Sequence, residues 1–277
     1  MQKFIVHGVV AGIYELFKDN KIIKLPAAGR LRYQGKNPLV GDRVIVKENQ
    51  IVDILERKNE LVRPKVANID RIFIFMSIEE PSFSTFLIDK YMSIIENKNI
   101  EPILCITKID LNNNESNKYK EIYKNMGYKV ILVDNNNLNI EQFHNLFKGK
   151  YSVFMGQSGV GKTTTINNLG GFNFETNIIS KSLGRGKHTT REVRAIPLQE
   201  GFLIDTPGFS SLNLNLSPIE LAQSYKVFRE LSKTCKYRSC LHVYENFKDC
   251  AIKQNIDNIK ITEERYNNYL KLQNEVK

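Results

Sequence analysis

Residues Gly156-Gln157-Ser158-Gly159-Val160-Gly161-Lys162-Thr163 fit G-x-x-x-x-G-K-[ST], and nothing else in the chain restricts its fold so tightly. The octapeptide follows an apolar run, Tyr151–Met155, and precedes a stretch with helical spacing from about Lys162 to Leu169. Strand, glycine loop and helix in that order commit the middle of the chain to an α/β layer with ligand loops at the strands' carboxyl ends. Two further motifs flank the loop in an unusual order. Thr107-Lys108-Ile109-Asp110 stands before it, and Asp205-Thr206-Pro207-Gly208 after it. An ordinary small guanine-nucleotide hydrolase runs phosphate loop, sensor, then base reader, whereas here the base reader comes first. Termini of compact domains lie close together at the surface, so joining the old ends and cutting elsewhere leaves such a site intact. The chain reads as a circularly permuted guanine-nucleotide-binding domain.

Each motif has a physical role. The glycines let backbone N–H groups wrap phosphate, and the helix N-terminus adds positive potential. Lys162 is expected to reach the β- and γ-phosphates, the Thr163 hydroxyl to bind Mg²⁺, and Thr164 to complete the phosphate-contacting set. A mere glycine-rich turn is the competing account. Asp110 accepts two hydrogen bonds from guanine's N1–H and exocyclic amine, which adenine lacks. Its rival role is a helix N-cap. Asp205, after Phe202–Ile204, is expected to hold Mg²⁺ and the Gly208 N–H to sense the γ-phosphate. Phe209 stands where many Ras-like enzymes carry the water-orienting Gln, so a polar group must come from elsewhere. His188 is the candidate, in Leu183-Gly184-Arg185-Gly186-Lys187-His188-Thr189-Thr190-Arg191. An RNA-contacting or merely exposed role for it stands beside that one. Thr190 is the expected second Mg²⁺ hydroxyl, with Thr189 in reserve, and Gly184 and Gly186 suit a loop that orders over a γ-phosphate.

The flanks differ from this middle. Residues 1–66 carry 13 Lys+Arg against 7 Asp+Glu and residues 226–277 carry 11 against 7, while the intervening residues balance. Basic flanks suit a polyanion such as RNA, though solvated lysines explain charge equally well. In residues 1–66 the runs Phe4–Val10, Gly12–Phe17, Lys21–Leu25, Arg30–Tyr33, Arg43–Lys47 and Ile51–Leu55 have β character, which fits a small OB-type barrel. Lys21, Lys24, Arg30, Arg32, Lys36 and Arg43 give it charge, and Tyr33 is either a base-stacking platform or a core residue. Alternating strands and helices follow: strands Ile72–Met76, Pro102–Ile106 and Lys129–Val133, helices near Ser84–Glu96, Asn117–Met126 and Ile140–Phe147, in a mostly parallel sheet. Residues 112–117 look like a surface connection. Ile219–Leu231 reads as a helix, and Ile259, Ile261, Tyr266, Tyr269, Leu270 and Leu272 as the packing stripe of a last one.

Cys235-x4-Cys240-x-His242-x7-Cys250 offers three thiolates and an imidazole, the ligand count of a closed structural Zn²⁺ site. Cys105 lies in an apolar strand run, and His7 and His144 lack partners that suggest chemistry and read as structural or exposed. No run reaches the ~18 apolar residues that span a bilayer, and the N-terminus lacks a signal-peptide pattern. The expectation is a cytoplasmic protein with no membrane partner. The fold expected is multi-domain: an OB-type barrel (1–66), a permuted α/β P-loop domain (67–218) and a small helical zinc-binding domain (219–277).

These residues resemble the bacterial small ribosomal subunit biogenesis GTPase RsgA (YjeQ/YloQ) family over essentially the whole chain. The resemblance rests on Pro38–Asp42, Arg57–Pro64, Val66–Asp70, Thr107–Asp110, Gly156–Thr163, Gly184–Arg191, Asp205–Gly208, the Cys/His cluster and Glu264–Leu270. It implies a GTP hydrolase, acting on GTP to give GDP, that binds the maturing small subunit and its rRNA and is stimulated by that particle. By this resemblance His188 matches the histidine proposed to activate water. A monomer without DNA as a partner is expected. Two departures stand out: a longer final spacing in the zinc cluster, Val243–Asp249, and Asp134-Asn135 where the family has a Ser-Ala-type base-contacting loop. The further expectation is that GTP orders residues 184–191 and hydrolysis releases the subunit. The rival is a GTP-gated RNA-binding scaffold in which hydrolysis is incidental.

Overall fold

The computed structural model describes residues 2–62, 64–170, 193–205 and 214–276. The expected roles of His188, Thr189, Thr190 and Gly208 therefore fall outside the described residues, as does Phe209. In chain order the elements are β1 (Gln2–Val10), β2 (Ile13–Lys18), β3 (Lys21–Pro26), α1 (Gly29–Tyr33), β4 (Arg43–Lys47), β5 (Gln50–Ile54), β6 (Glu60–Leu61), β7 (Val66–Ala67) and β8 (Arg71–Ser77). Then come α2 (Thr85–Asn97), β9 (Glu101–Thr107), α3 (Asn113–Asn125), β10 (Lys129–Val133), α4 (Ile140–Phe147), β11 (Tyr151–Met155) and α5 (Lys162–Gly170). Next are β12 (Arg194–Leu198), β13 (Gly201–Asp205), α6 (Pro218–Ala222), α7 (Lys226–Leu231), α8 (Ala251–Gln254) and α9 (Glu263–Glu275). They divide into two compact units, one of residues 2–71, 138–154, 162–170 and 193–205, the other of 72–137, 155–161 and 214–276.

In the first unit β1 pairs antiparallel with both β2 and β4, β2 with β3, and β4 with β5. Ala27, just past β3, bridges Ile51 of β5 in parallel, so the five strands close on themselves. Their alternation puts Phe4, Val6, Tyr14, Leu16, Val44 and Ile51 inside, with Leu31 of α1 beneath them. Arg30–Tyr33 is thus a helical turn rather than the expected strand. Leu31 is the one apolar side chain it buries, and the turn ends in a Schellman cap: Gly35 at φ +70° donates to Arg32, and Lys36 to Leu31. Tyr33 is 95% exposed, which removes its reading as a core residue.

Several family-motif residues in this unit hold the chain rather than a ligand. The fully buried Asp42 carboxylate accepts from the Leu39 N–H and from Arg57 Nε and Nη2 at 2.7–2.8 Å. Asn59 exchanges two hydrogen bonds with the Ile69 backbone. Gly41, at φ +92°, lies so close to the Ala67 carbonyl that a Cβ there would sit 1.9 Å from it. The His7 ring stacks on Phe17, with centroids 4.4 Å apart, and bonds to the Tyr151 hydroxyl; burial lowers its pKa to about 4. His7 is structural, as one of its two expected readings had it.

The second unit carries β10, β9 and β8 side by side, with β10 and β9 parallel. Burial on both faces makes Ile72–Met76 and Ile103–Ile106 continuous apolar runs, and Cys105 is buried among them. The sheet expected to be mostly parallel also has an antiparallel pair in the first unit, β12 with β13. Strand β12 escaped the sequence pattern because Pro197 interrupts it. Residues 112–117 are not a connection. Asn112 caps α3 by accepting from the Glu115 N–H, so its asparagines mark a helix start. The helix expected over Ile219–Leu231 is two, α6 and α7, parted at Tyr225, whose buried hydroxyl donates to the Asp89 carbonyl. Ile259 is 70% exposed and so leaves the stripe that the buried Ile261, Tyr266, Tyr269 and Leu272 form, and Leu270 is half-buried.

Candidate nucleotide site and metal centre

Strand β11 runs directly into residues 156–161, and α5 begins at Lys162, which is the strand, loop and helix order the octapeptide requires. Gly156 sits at φ +149°, and a Cβ there would lie 2.3 Å from the Phe75 carbonyl. Only glycine passes β8 that closely. The Thr107–Asp110 segment meets this loop directly: the buried Thr107 hydroxyl donates to the Val160 carbonyl at 2.7 Å. After Thr107 the chain turns sharply, with Lys108 at φ +54°, the Leu111 N–H donating to the Lys108 carbonyl, and the Lys108 ammonium donating to the Glu80 carbonyl. Asp110 lies exposed on this turn. It does not cap α3, since Asn112 does.

The strand-end loop after β10 joins them. A Cβ on Gly161, at φ +90°, would stand 3.1 Å from the Asn135 side-chain nitrogen and 3.9 Å from Thr107. Asp134 holds the turn by accepting from the Asn136 N–H at 2.9 Å. Asn135, which stands where the family pattern has a base-contacting loop, is thus brought to this site. Its signal was positional, a loop at the carboxyl end of the strand beside β9.

In the other unit, Lys162 and Thr163 open α5 half-buried, Thr164 is exposed, and Asp205 ends β13 half-buried. Desolvation lowers the Lys162 pKa from 10.5 to about 8. Gln157 is half-buried and Ser158 exposed in the phosphate loop, with Gly159 at φ +81° between Ser158 and the fully buried Val160.

The metal candidates do converge. One ligand atom each from Cys235, Cys240, His242 and Cys250 lies within 4.8 Å of the others. His242 Nδ1 faces Cys250 Sγ at 3.4 Å and Cys235 Sγ at 3.9 Å. Burial lowers the His242 pKa to about 4, keeping the imidazole in its ligating neutral form, and raises the Cys240 and Cys250 thiols. Three sulfurs and a nitrogen within that span are a donor set that fits tetrahedral Zn²⁺. The lengthened final spacing is folded by Glu245, whose carboxylate accepts from the Leu241 and Val243 N–H groups at 2.7 and 2.9 Å. Lys253 donates to the Val243 and Glu245 carbonyls. Two tyrosines of α9 support the same loop, Tyr266 through the His242 carbonyl and Tyr269 through that of Leu241.

The RsgA GTPase family matches residues 54–215. The chain belongs to the RsgA GTPase family. Its curated relatives include the small ribosomal subunit biogenesis GTPase RsgA of Mycoplasmopsis agalactiae, 49% identical over 98% of this chain and 97% of that protein. The protein of that name from Mycoplasmopsis pulmonis is 45% identical over 98% of each. Among solved structures, YloQ, described as a circularly permuted GTPase, aligns with a TM-score of 0.81 at 32% identity over 100% of this chain and 95% of that one. YjeQ from Thermotoga maritima aligns with a TM-score of 0.81 at 29% identity over 99% and 98%. The RsgA-family match spans both the Thr107–Asp110 and Gly156–Thr163 segments, in the permuted order. Among the described residues no helix is long and apolar enough to cross a membrane.

Proposed function

We propose that this chain is a GTPase of small ribosomal subunit biogenesis whose hydrolysis the subunit stimulates and whose grip on the subunit loosens as the γ-phosphate leaves. The observation that carries the reading is the bond from Thr107 to Val160, which ties the guanine-reading turn to the phosphate loop in spite of their inverted order. Asp110 recognises the guanine edge, Thr107 and Lys108 hold the turn, and the N–H groups of Gly156–Gly161 with Lys162 and Thr164 cradle the phosphates. The hydroxyl of Thr163 and the carboxylate of Asp205 are hard oxygen donors of the kind Mg²⁺ takes, with Thr190 as a third and Gly208 as the γ-phosphate sensor. The ion, when bound, neutralises charge on the β- and γ-oxygens. His188 orients the attacking water.

Three modules divide the work, residues 1–66, 67–218 and 219–277. The closed five-strand barrel is of the OB type and, with the zinc segment, contacts rRNA; its exposed Tyr33 beside Arg30 and Arg32 supports that assignment. The protein acts as a monomer in the cytoplasm. The test is GTP turnover with and without purified small subunits, large subunits and free RNA. Stimulation confined to the small subunit supports the proposal, and equal small-subunit affinity of the GTP and GDP forms at matched salt removes its release step. His188→Ala separates this reading from the scaffold one: subunit-stimulated turnover and release are both lost only if hydrolysis drives release.

A further inference from the structure

The second unit has a large cleft at the end of its sheet opposite the nucleotide loops. It encloses about 900 Å³ between the starts of β9 and β10, at Glu101 and Lys129, and the segment holding Lys226, Arg229, Lys233 and Lys260. Thr107, at the far end of β9, marks the nucleotide side; seven residues of strand put about 20 Å between the two.

The charges of this cleft do not cancel. Glu101 pairs with Lys129 at 2.7 Å. The buried Glu96 carboxylate is taken by the Lys226 backbone N–H, also at 2.7 Å. Arg229 is spent on the carbonyls of Glu96, Gln223 and Ser224. That leaves the ammonium groups of Lys226, Lys233 and Lys260, all exposed and none ion-paired among the described residues, against the single carboxylate of Glu230. The floor is firm, because Tyr128 is locked beneath by the fully buried Arg265. Three unpaired cations around an open, rigid cleft of this size concentrate positive potential where a chain of phosphates can lie.

We propose that this cleft is a second anion-binding surface that holds an RNA phosphodiester backbone, remote from the nucleotide. The inference rests on the rRNA-binding reading above and names where part of that contact is made. Its occupant is RNA: lysines at both ends of residues 226–233 and a third at 260 match spaced phosphates better than one compact anion.

The test compares Lys226→Gln/Lys233→Gln/Lys260→Gln with a control triple change along α3, Lys118→Gln/Lys120→Gln/Lys124→Gln. Binding to purified small subunits and to a single-stranded RNA oligonucleotide is titrated against salt, with basal GTP turnover and melting midpoint as checks of folding. Three lost phosphate contacts lower the log–log salt slope by about 2, so the affinity lost between about 50 and 200 mM salt shrinks roughly 20-fold. The control leaves the slope unchanged, and Glu230→Gln tightens RNA binding. An unchanged slope in the cleft variant, or an equal change in the control, overturns the proposal. So does a loss of subunit binding with naked-RNA binding intact, which assigns the cleft to a protein partner. If the unmodified protein is not stimulated by small subunits, it is the proposed function that fails, whereas retained stimulation with an unmoved slope removes the cleft alone.

Discussion

Lys162 offers a direct test of the phosphate site through pH. Its pKa lies near 8 in the free protein instead of 10.5, because burial removes water from the ammonium. A polyphosphate brings negative charge to that group, so the pKa rises on binding. The linkage has a definite sign: affinity is highest below pH 8, where the free lysine is already protonated, and falls as pH rises through 8. The decline is about tenfold per pH unit until the complex itself releases the proton. If bound phosphate restores the ordinary value, the loss saturates near 300-fold, the equivalent of about 2.5 pKa units. Calorimetric titration of GDP at pH 7, 8, 9 and 9.5 measures the fall. Repeating it near pH 8 in buffers of different ionisation enthalpy shows uptake of about half a proton per nucleotide. Lys162→Arg, which does not titrate in this range, flattens the profile whatever it does to affinity. A flat profile for the unmodified protein, or an equal slope in Lys162→Arg, refutes the assignment of Lys162 to the phosphates.

Asp110→Asn replaces one of the two accepting oxygens with a donating NH2 and weakens GDP by about 3 kcal/mol while leaving ADP unchanged; competition binding reads the preference, and an untouched preference contradicts the base-reading role. The native protein carries one zinc per chain, and Cys250→Ala abolishes it and the near-ultraviolet signal of the neighbouring Tyr and Phe rings; metal content and circular dichroism check this. Arg265→Met leaves the Asp89 carboxylate buried without its cation and costs about 3–5 kcal/mol in denaturant unfolding. In the native protein the Asp89 pKa is already raised from 3.8 to about 6, first by burial, so its contribution is full below 3.8 and declines as pH rises through 6. Without Arg265 that decline steepens at neutral pH. Tyr33→Ala leaves stability unchanged and weakens RNA binding by about 1–3 kcal/mol; unaltered RNA affinity rules out stacking.

Much of this protein was legible in its sequence because strong local codes coincide with structure. Lys129–Val133, Ile140–Phe147 and Tyr151–Met155 fall where periodicity places them, since buried parallel strands and an amphipathic helix leave unmistakable patterns. Cys235, Cys240, His242 and Cys250 converge as their spacing implies. Failures came where one residue type serves two geometries. The Arg-Leu-Arg-Tyr alternation fits a strand and also a single helical turn, and only the Gly35 cap decides. Asparagines at 112 and 113 suit a loop and a helix start equally. The place of Asn135 at the phosphate loop was only partly legible, for another reason. Its role depends on β10 lying beside β9, a contact between segments distant in sequence that no local pattern records.

Helix α9 joins two things that the order of motifs keeps apart. Its tyrosines hold up the backbone around His242, while Arg265 on the same helix is clamped between Tyr128 and Tyr225 and lies 3.5 Å from Asp89 of α2. The last residues are therefore a keystone and not a detachable appendage. A chain ended before Thr262 strands an acid in the interior of α2 and takes the props from the metal loop in one cut.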